Sequence, residues 1–71
     1  MVNTQLLVDR IKNSGLKISF IVDKMGISRQ AFDNKKKNKT PFRGSEVYVL
    51  CDLLNISDTD KQGIFFAKEV D

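Results

Sequence analysis

Apolar residues along this chain recur at helical spacing in five successive stretches, each closed by a residue suited to ending a helix. Leu7, Val8 and Ile11 predict a first helix over roughly 4–14, capped by Asn3 or Thr4 and stopped at Gly15. Ile18, Ile21, Val22 and Met25 stand at i, i+3, i+4 and i+7 and predict a short second helix ending at Gly26. Its β-branched content would suit a strand, but the spacing is not period two, so pattern outweighs propensity. Ser28 can cap a third helix over about 29–36, with Ala31 and Phe32 inward and Arg29, Gln30, Asp33 and Asn34 outward. The run KKKNKT at 35–40 reads as helix end and loop, with Asn38 suited to a left-handed position. Thr40 with Pro41, or else Ser45, can open a fourth helix carrying Val47, Leu50, Cys51 and Leu54, which Asn55 ends near residue 54. Ser57 and Asp60 resemble a capping box, and Ile64, Phe65 and Ala67 continue a fifth helix toward an acidic end at Glu69 and Asp71. The expected fold is all-α: one compact five-helix domain over residues 1–71.

Composition narrows what such a domain does. A chain of 71 residues with 41% hydrophobic residues, five Phe and no Trp supports a small helical core but offers little material for an enclosed substrate cavity. Histidine is absent, and the one cysteine, Cys51, lies on an apolar helical stripe, where a free thiol packs as a small hydrophobe. No metal site, cofactor or small-molecule substrate is therefore expected, and no pairing of nucleophile with base points to an enzyme. No apolar run approaches the roughly 18 residues of a membrane span, and MVNTQLLVDR lacks the pattern of a signal peptide, so the expected location is the cytoplasm.

Charge is distributed unevenly. Residues 1–28 carry four basic and two acidic groups, residues 29–43 six and one, and residues 44–71 two and six. A basic middle beside an acidic C-terminal part suits a protein that meets a polyanion with one face only. A solvated lysine-rich loop would have the same composition, so the charge needs a motif beside it.

That motif is GLKISFIVDKMGISRQAFDN at 15–34, in which a short helix is followed by Gly-Ile-Ser and a second short helix, the helix-turn-helix arrangement. Gly26 supplies a positive-φ turn, Ile21, Met25, Ile27 and Phe32 fill the angle between the helices, and Ser28 starts the second. The stretch resembles the small phage Cro and repressor group of helix-turn-helix regulators, in which Gly in the turn is followed by an apolar residue and Ser or Thr. The resemblance extends to the loop from Lys39 to Pro41, to VLCDLLNIS and to IFFAKEV, as in short Cro-type proteins of temperate phages of Gram-positive bacteria. Two positions depart from it. Val22 replaces a small residue at the helix–helix approach, and Lys35 replaces a second apolar residue, so the third helix ends early or the Lys stem covers the core with its ammonium in solvent.

The resemblance implies a lambda-repressor-like fold, a double-stranded operator as ligand, and insertion of the third helix into the major groove. It assigns base reading to Ser28, Arg29, Gln30 and Asn34. Their chemistry agrees: Arg forks onto guanine, while Gln or Asn pairs with adenine. Asp33 is the poorer reader, since phosphates repel it, and Phe32 is core. Lys17, Lys36, Lys37, Lys39, Thr40 and Arg43 are placed to meet phosphates on either side of the groove. Any one of these lysines can equally be a solvated side chain, so the weight falls on the group. The rival function is a modulator that keeps this fold but acts by contacting a partner phage repressor. Ile64, Phe65, Phe66 and Val70 are the candidate surface for a second copy or for that repressor, because adjacent Phe65 and Phe66 point about 100° apart on a helix and can hardly both face one small core; the alternative is a helix wide-faced enough to bury both rings in this domain.

Overall fold

A computed structural model describes residues 1–67, and these form five helices around one core. They are α1 (Thr4–Ser14), α2 (Ile18–Met25), α3 (Arg29–Lys36), α4 (Gly44–Leu54) and α5 (Asp58–Phe65). Among the described residues there is no strand. No described helix is long and apolar enough to cross a membrane.

Side-chain oxygens start three of the helices by satisfying N–H groups that have no partner within the helix. Asn3 accepts from the Leu6 N–H at 3.2 Å, Ser28 from the Ala31 N–H at 3.0 Å and Ser57 from the Asp60 N–H at 3.2 Å. Left-handed residues end three: Gly15 at φ 73°, Gly26 at φ 73° and Asn55 at φ 57°. Asn38 also takes a positive φ, 66°, in the segment between α3 and α4.

The four side chains most completely removed from solvent are Leu7, Ile21, Phe32 and Leu50, one from each of α1 to α4. Ile64 and Phe65 close the cluster from α5. Phe42, half-buried ahead of α4, sits edge-on between Phe32 and Phe65 with ring centroids 6.0 and 5.8 Å away. Such aromatic pairs add stability beyond the area they bury. This three-ring stack fixes α3 to α5 through the connecting segment, and so sets which side of α3 stays outside.

Two boundaries differ from those the sequence suggests. Helix α4 begins at Gly44, not at Pro41 or Ser45, because the Glu46 carboxylate accepts from the Arg43 N–H at 2.8 Å and makes Arg43 the cap residue. Helix α5 ends at Phe65 instead of continuing through Ala67. The Ala67 N–H leaves the helical ladder to donate to the Met1 carbonyl at 3.0 Å, and Asn3 N–H reaches Ile64 O at 2.6 Å. The N-terminal residues thus pair with the end of α5 and terminate it. Cys51 is half-buried and packs against the core cluster, as its place on the apolar stripe suggests.

Candidate nucleic-acid interface

The connection from α2 to α3 is short because its backbone is satisfied on the spot. Gly26 and Ile27 both donate to the Val22 carbonyl, at 2.9 and 3.2 Å, and the left-handed Gly26 turns the chain before Ser28 caps α3. Ile27 packs against the core, and Phe32, with no exposed surface, anchors α3 on its inner side. The opposite side is polar. Ser28, Arg29 and Gln30 are exposed and Asn34 is half-exposed, one turn further along the same face as Gln30.

These four residues do not offer equal chemistry. The Ser28 oxygen is occupied as the cap of α3, leaving its hydroxyl hydrogen to donate outward. Arg29 donates from Nε to Asp33 Oδ1 over a long 3.4 Å, with its side chain 62% exposed, so the outer edge of its guanidinium is open. Asp33 also stands 3.7 Å from Lys36 Nζ, which leaves its charge opposed by two cations. Gln30 and Asn34 carry amides that no described side chain engages.

The segment after α3 folds back over the helix end. Lys37 N–H donates to Asp33 O, Asn38 N–H to Lys35 O, and Lys39 N–H to Asn34 O at 2.8 Å, satisfying carbonyls that a helix terminus leaves open. Lys37, Lys39 and Thr40 are exposed along it and are held by these bonds at the end of α3 that carries Asn34, and Arg43 is exposed at the cap of α4. Lys17 is exposed at the cap position of α2, where no side chain caps the helix. Lys36 differs from the others. Its ammonium lies 5.9 Å from the Phe32 ring centre and near Asp33, and its side chain is only 20% exposed.

Lys35 is placed differently from the expectation for an exposed lysine at a helix end. Its helix does not end early, and its ammonium is not in solvent: it forms a two-pronged bond with Glu46, 2.5 Å to Oε1 and 2.7 Å to Oε2. The two side chains are 13% and 9% exposed. Burial alone would raise the Glu46 pKa, but hydrogen bonds from Lys35 and the Arg43 N–H, with the charges of both residues, outweigh it and hold the carboxyl below its ordinary value. This pair ties the last turn of α3 to the first turn of α4. Sequence reasoning misses it because the partners lie 11 residues apart, though a Glu two residues into a helix start is the available signal.

The candidate partner surface is also redrawn. Ile64 and Phe65 are buried in the domain's own core at 3% and 4% exposure and cannot meet another chain, whereas Phe66, 55% exposed, stands outside it. Val70 lies outside the described residues. Tyr48 is 76% exposed, one residue off the inward stripe of α4, and periodicity alone does not single it out. Tyr48 and Phe66 border one open groove of about 470 Å³ between α4 and α5, together with Cys51, whose thiol burial pushes to a higher pKa. Phe20 on α2 is also exposed, with Lys24 Nζ 5.5 Å from its ring centre. Comparison with protein-family models, curated proteins and solved structures returned no significant match, so the reading of this surface rests on its own chemistry.

Proposed function

We propose that this protein is a Cro-like transcriptional regulator that binds operator DNA through a helix-turn-helix formed by α2 and α3, with α3 in the major groove. The observation that carries the reading is the two-sidedness of α3: one fully buried ring, Phe32, faces in, while Arg29, Gln30 and Asn34 offer forked donors and amides outward. Two further features support it. The first turn of α3 contains no acidic residue, so the positive end of its dipole is not neutralised from within. The exposed cations Lys37, Lys39 and Arg43 follow at its other end, where they suit phosphates flanking a groove.

In this reading Arg29, Gln30 and Asn34 discriminate bases, Asp33 orients Arg29, and the lysines fix register on the duplex without specifying sequence. The Lys35–Glu46 pair holds α3 at a set angle to α4. A phage genetic switch in a bacterial host cytoplasm is the setting this reading implies.

A second reading is favoured by one feature, the exposed Tyr48 and Phe66 along a single groove. Large exposed aromatics bordering a groove suit a protein partner, and a modulator would contact a phage repressor there, instead of or beside binding DNA. Quantitative binding of the purified protein to the DNA flanking its own gene separates the two. Tight binding by the protein alone supports the operator-binding regulator. Binding only when the neighbouring repressor is present, or a change in the repressor's own DNA binding, supports the modulator, and no binding by the protein alone with the repressor's binding unchanged contradicts both.

A further inference from the structure

We propose that Asn38 and Thr4 are positioning residues for nucleic-acid binding, which clamp the basic segment after α3 to the N-terminal residues so that Lys37 and Lys39 are held ready for phosphates. This inference rests on the nucleic-acid reading above. It begins with the Asn38 side chain, which behaves as a strip of backbone. Its Oδ1 accepts from the Val2 N–H at 2.7 Å, and its Nδ2 donates to the Val2 carbonyl at 2.9 Å. One side chain thereby satisfies both main-chain polar groups of a residue 36 positions away. Beside it, Thr4 Oγ1 donates to the Lys36 carbonyl at 2.6 Å, engaging one of the last open carbonyls of α3.

The far side of this clamp does not move freely. Val2 is buried in the core, Asn3 N–H is bonded to Ile64 O, and Met1 O accepts from Ala67 N–H. The hydrogen bonds that otherwise hold residues 37–40 run to carbonyls of Asp33, Asn34 and Lys35, within the end of α3 itself. A helix end secured only to itself frays, and a basic loop on a frayed end must be ordered when DNA arrives. Asn38 sits between Lys37 and Lys39, so fixing its backbone fixes the origin of both lysines. Pre-ordering a binding segment raises affinity by reducing the entropy lost on association, and a segment left unordered in the complex also forfeits its phosphate contacts.

The residue type supports the same point. A left-handed position after a helix is most commonly filled by Gly, and Asn38 is an exposed residue that a simple turn would not require to be Asn. Asn38→Gly therefore removes the clamp while keeping the φ of 66° unstrained, and Thr4→Val removes the second bond with little change of shape.

The experiment measures binding of the full chain to a random-sequence DNA duplex across a salt series, at a temperature where circular dichroism shows every variant folded. Asn38→Gly is expected to weaken binding about fivefold, the effect of roughly 1 kcal/mol of restored loop freedom. It should also flatten the dependence of log affinity on log salt toward that of Lys37→Gln/Lys39→Gln, by about 0.9 for each phosphate no longer engaged. In that double-lysine background, Asn38→Gly should have no further effect on binding, since the groups it positions are gone. Thr4→Val should act in the same direction, and the Lys39 amide should exchange with solvent faster in both. A purely structural role would lower the melting temperature without moving the salt slope. An unchanged slope and unchanged Lys39 exchange in both variants, with the wild type binding normally, overturns the clamp alone. An Asn38→Gly effect undiminished in the double-lysine background does the same. A wild type with no salt-dependent affinity for duplex overturns the nucleic-acid reading and the clamp together.

Discussion

Helices α3 and α5 are built to one plan and present opposite surfaces. Each is eight residues long, and each starts at a serine whose Oγ accepts from the N–H three positions on. In α5 the first turn holds Asp58 and Asp60, which neutralise the positive end of its own dipole, and Asp60 also pairs with Arg10. In α3 the first turn holds no acid and the last turn holds Lys35 and Lys36. Their inner faces differ as well: α3 is anchored by one ring, α5 by Ile64 and Phe65 in succession, beyond which Phe66 is left exposed. The difference shows how two helices of one plan come to present surfaces of opposite charge and different apolar width. The cap makes the helix, and the charge in its first turn together with the width of its buried stripe decides what can approach it.

Removing the single anchor of α3 should have the greatest effect. Phe32→Ala should cost about 3–5 kcal/mol by chemical denaturation, since a fully buried ring leaves a cavity that the surrounding structure only partly fills. A cost below about 1 kcal/mol would mean that α3 is held by something other than Phe32. Next comes the tie between α3 and α4. Glu46→Ala should cost about 3 kcal/mol, at the low end for breaking a buried pair because both side chains keep some contact with water. Glu46 also sets a pH dependence. Its carboxyl is held below the ordinary value of 4.5 in the folded chain, so its contribution is fully present above that pH and is lost as pH falls through the lowered folded value. Urea denaturation below pH 4.5 should show this loss in the wild type and a reduced one in Glu46→Gln.

On the outer face of α3, where base reading is proposed, Gln30→Ala and Asn34→Ala should each remove about 1–3 kcal/mol of discrimination between a selected duplex and a scrambled one, with folding intact by circular dichroism. Equal proportional losses on both duplexes would take base reading away from these amides. Stability should respond least at the end of α5. Phe66→Ser should change the unfolding free energy by less than about 0.5 kcal/mol, because the ring is already exposed, while abolishing any association through the α4–α5 groove seen by sedimentation. Unfolding by this substitution would show that Phe66 belongs to the core.

The helices, the turn at Gly26 and the caps at Ser28 and Ser57 are legible in the sequence because each depends on residues within a few positions of one another. The outward placement of Arg29 and Gln30 follows from the same periodicity. Features that depend on distant partners are not legible. Lys35 reads as a solvated lysine because Glu46 is brought to it only by the angle between α3 and α4. The end of α5 falls earlier than the pattern predicts because the N-terminal residues take up its backbone groups, and local pattern carries no trace of that pairing. Which of Phe65 and Phe66 turns inward is not legible either: the buried Phe65 meets Phe42, whose ring comes from outside either regular stripe.

The proposal that α3 reads duplex DNA is tested by the affinity of the wild-type chain for a duplex selected from a randomised pool and for its scrambled counterpart, over a range of salt. Log affinity for both should fall linearly with log salt, with a slope of about 0.9 per phosphate contacted, and the selected duplex should stay tighter by about 4 kcal/mol or more. Failure of any duplex to emerge from selection, or equal affinity for selected and scrambled duplexes at every salt concentration, would contradict it.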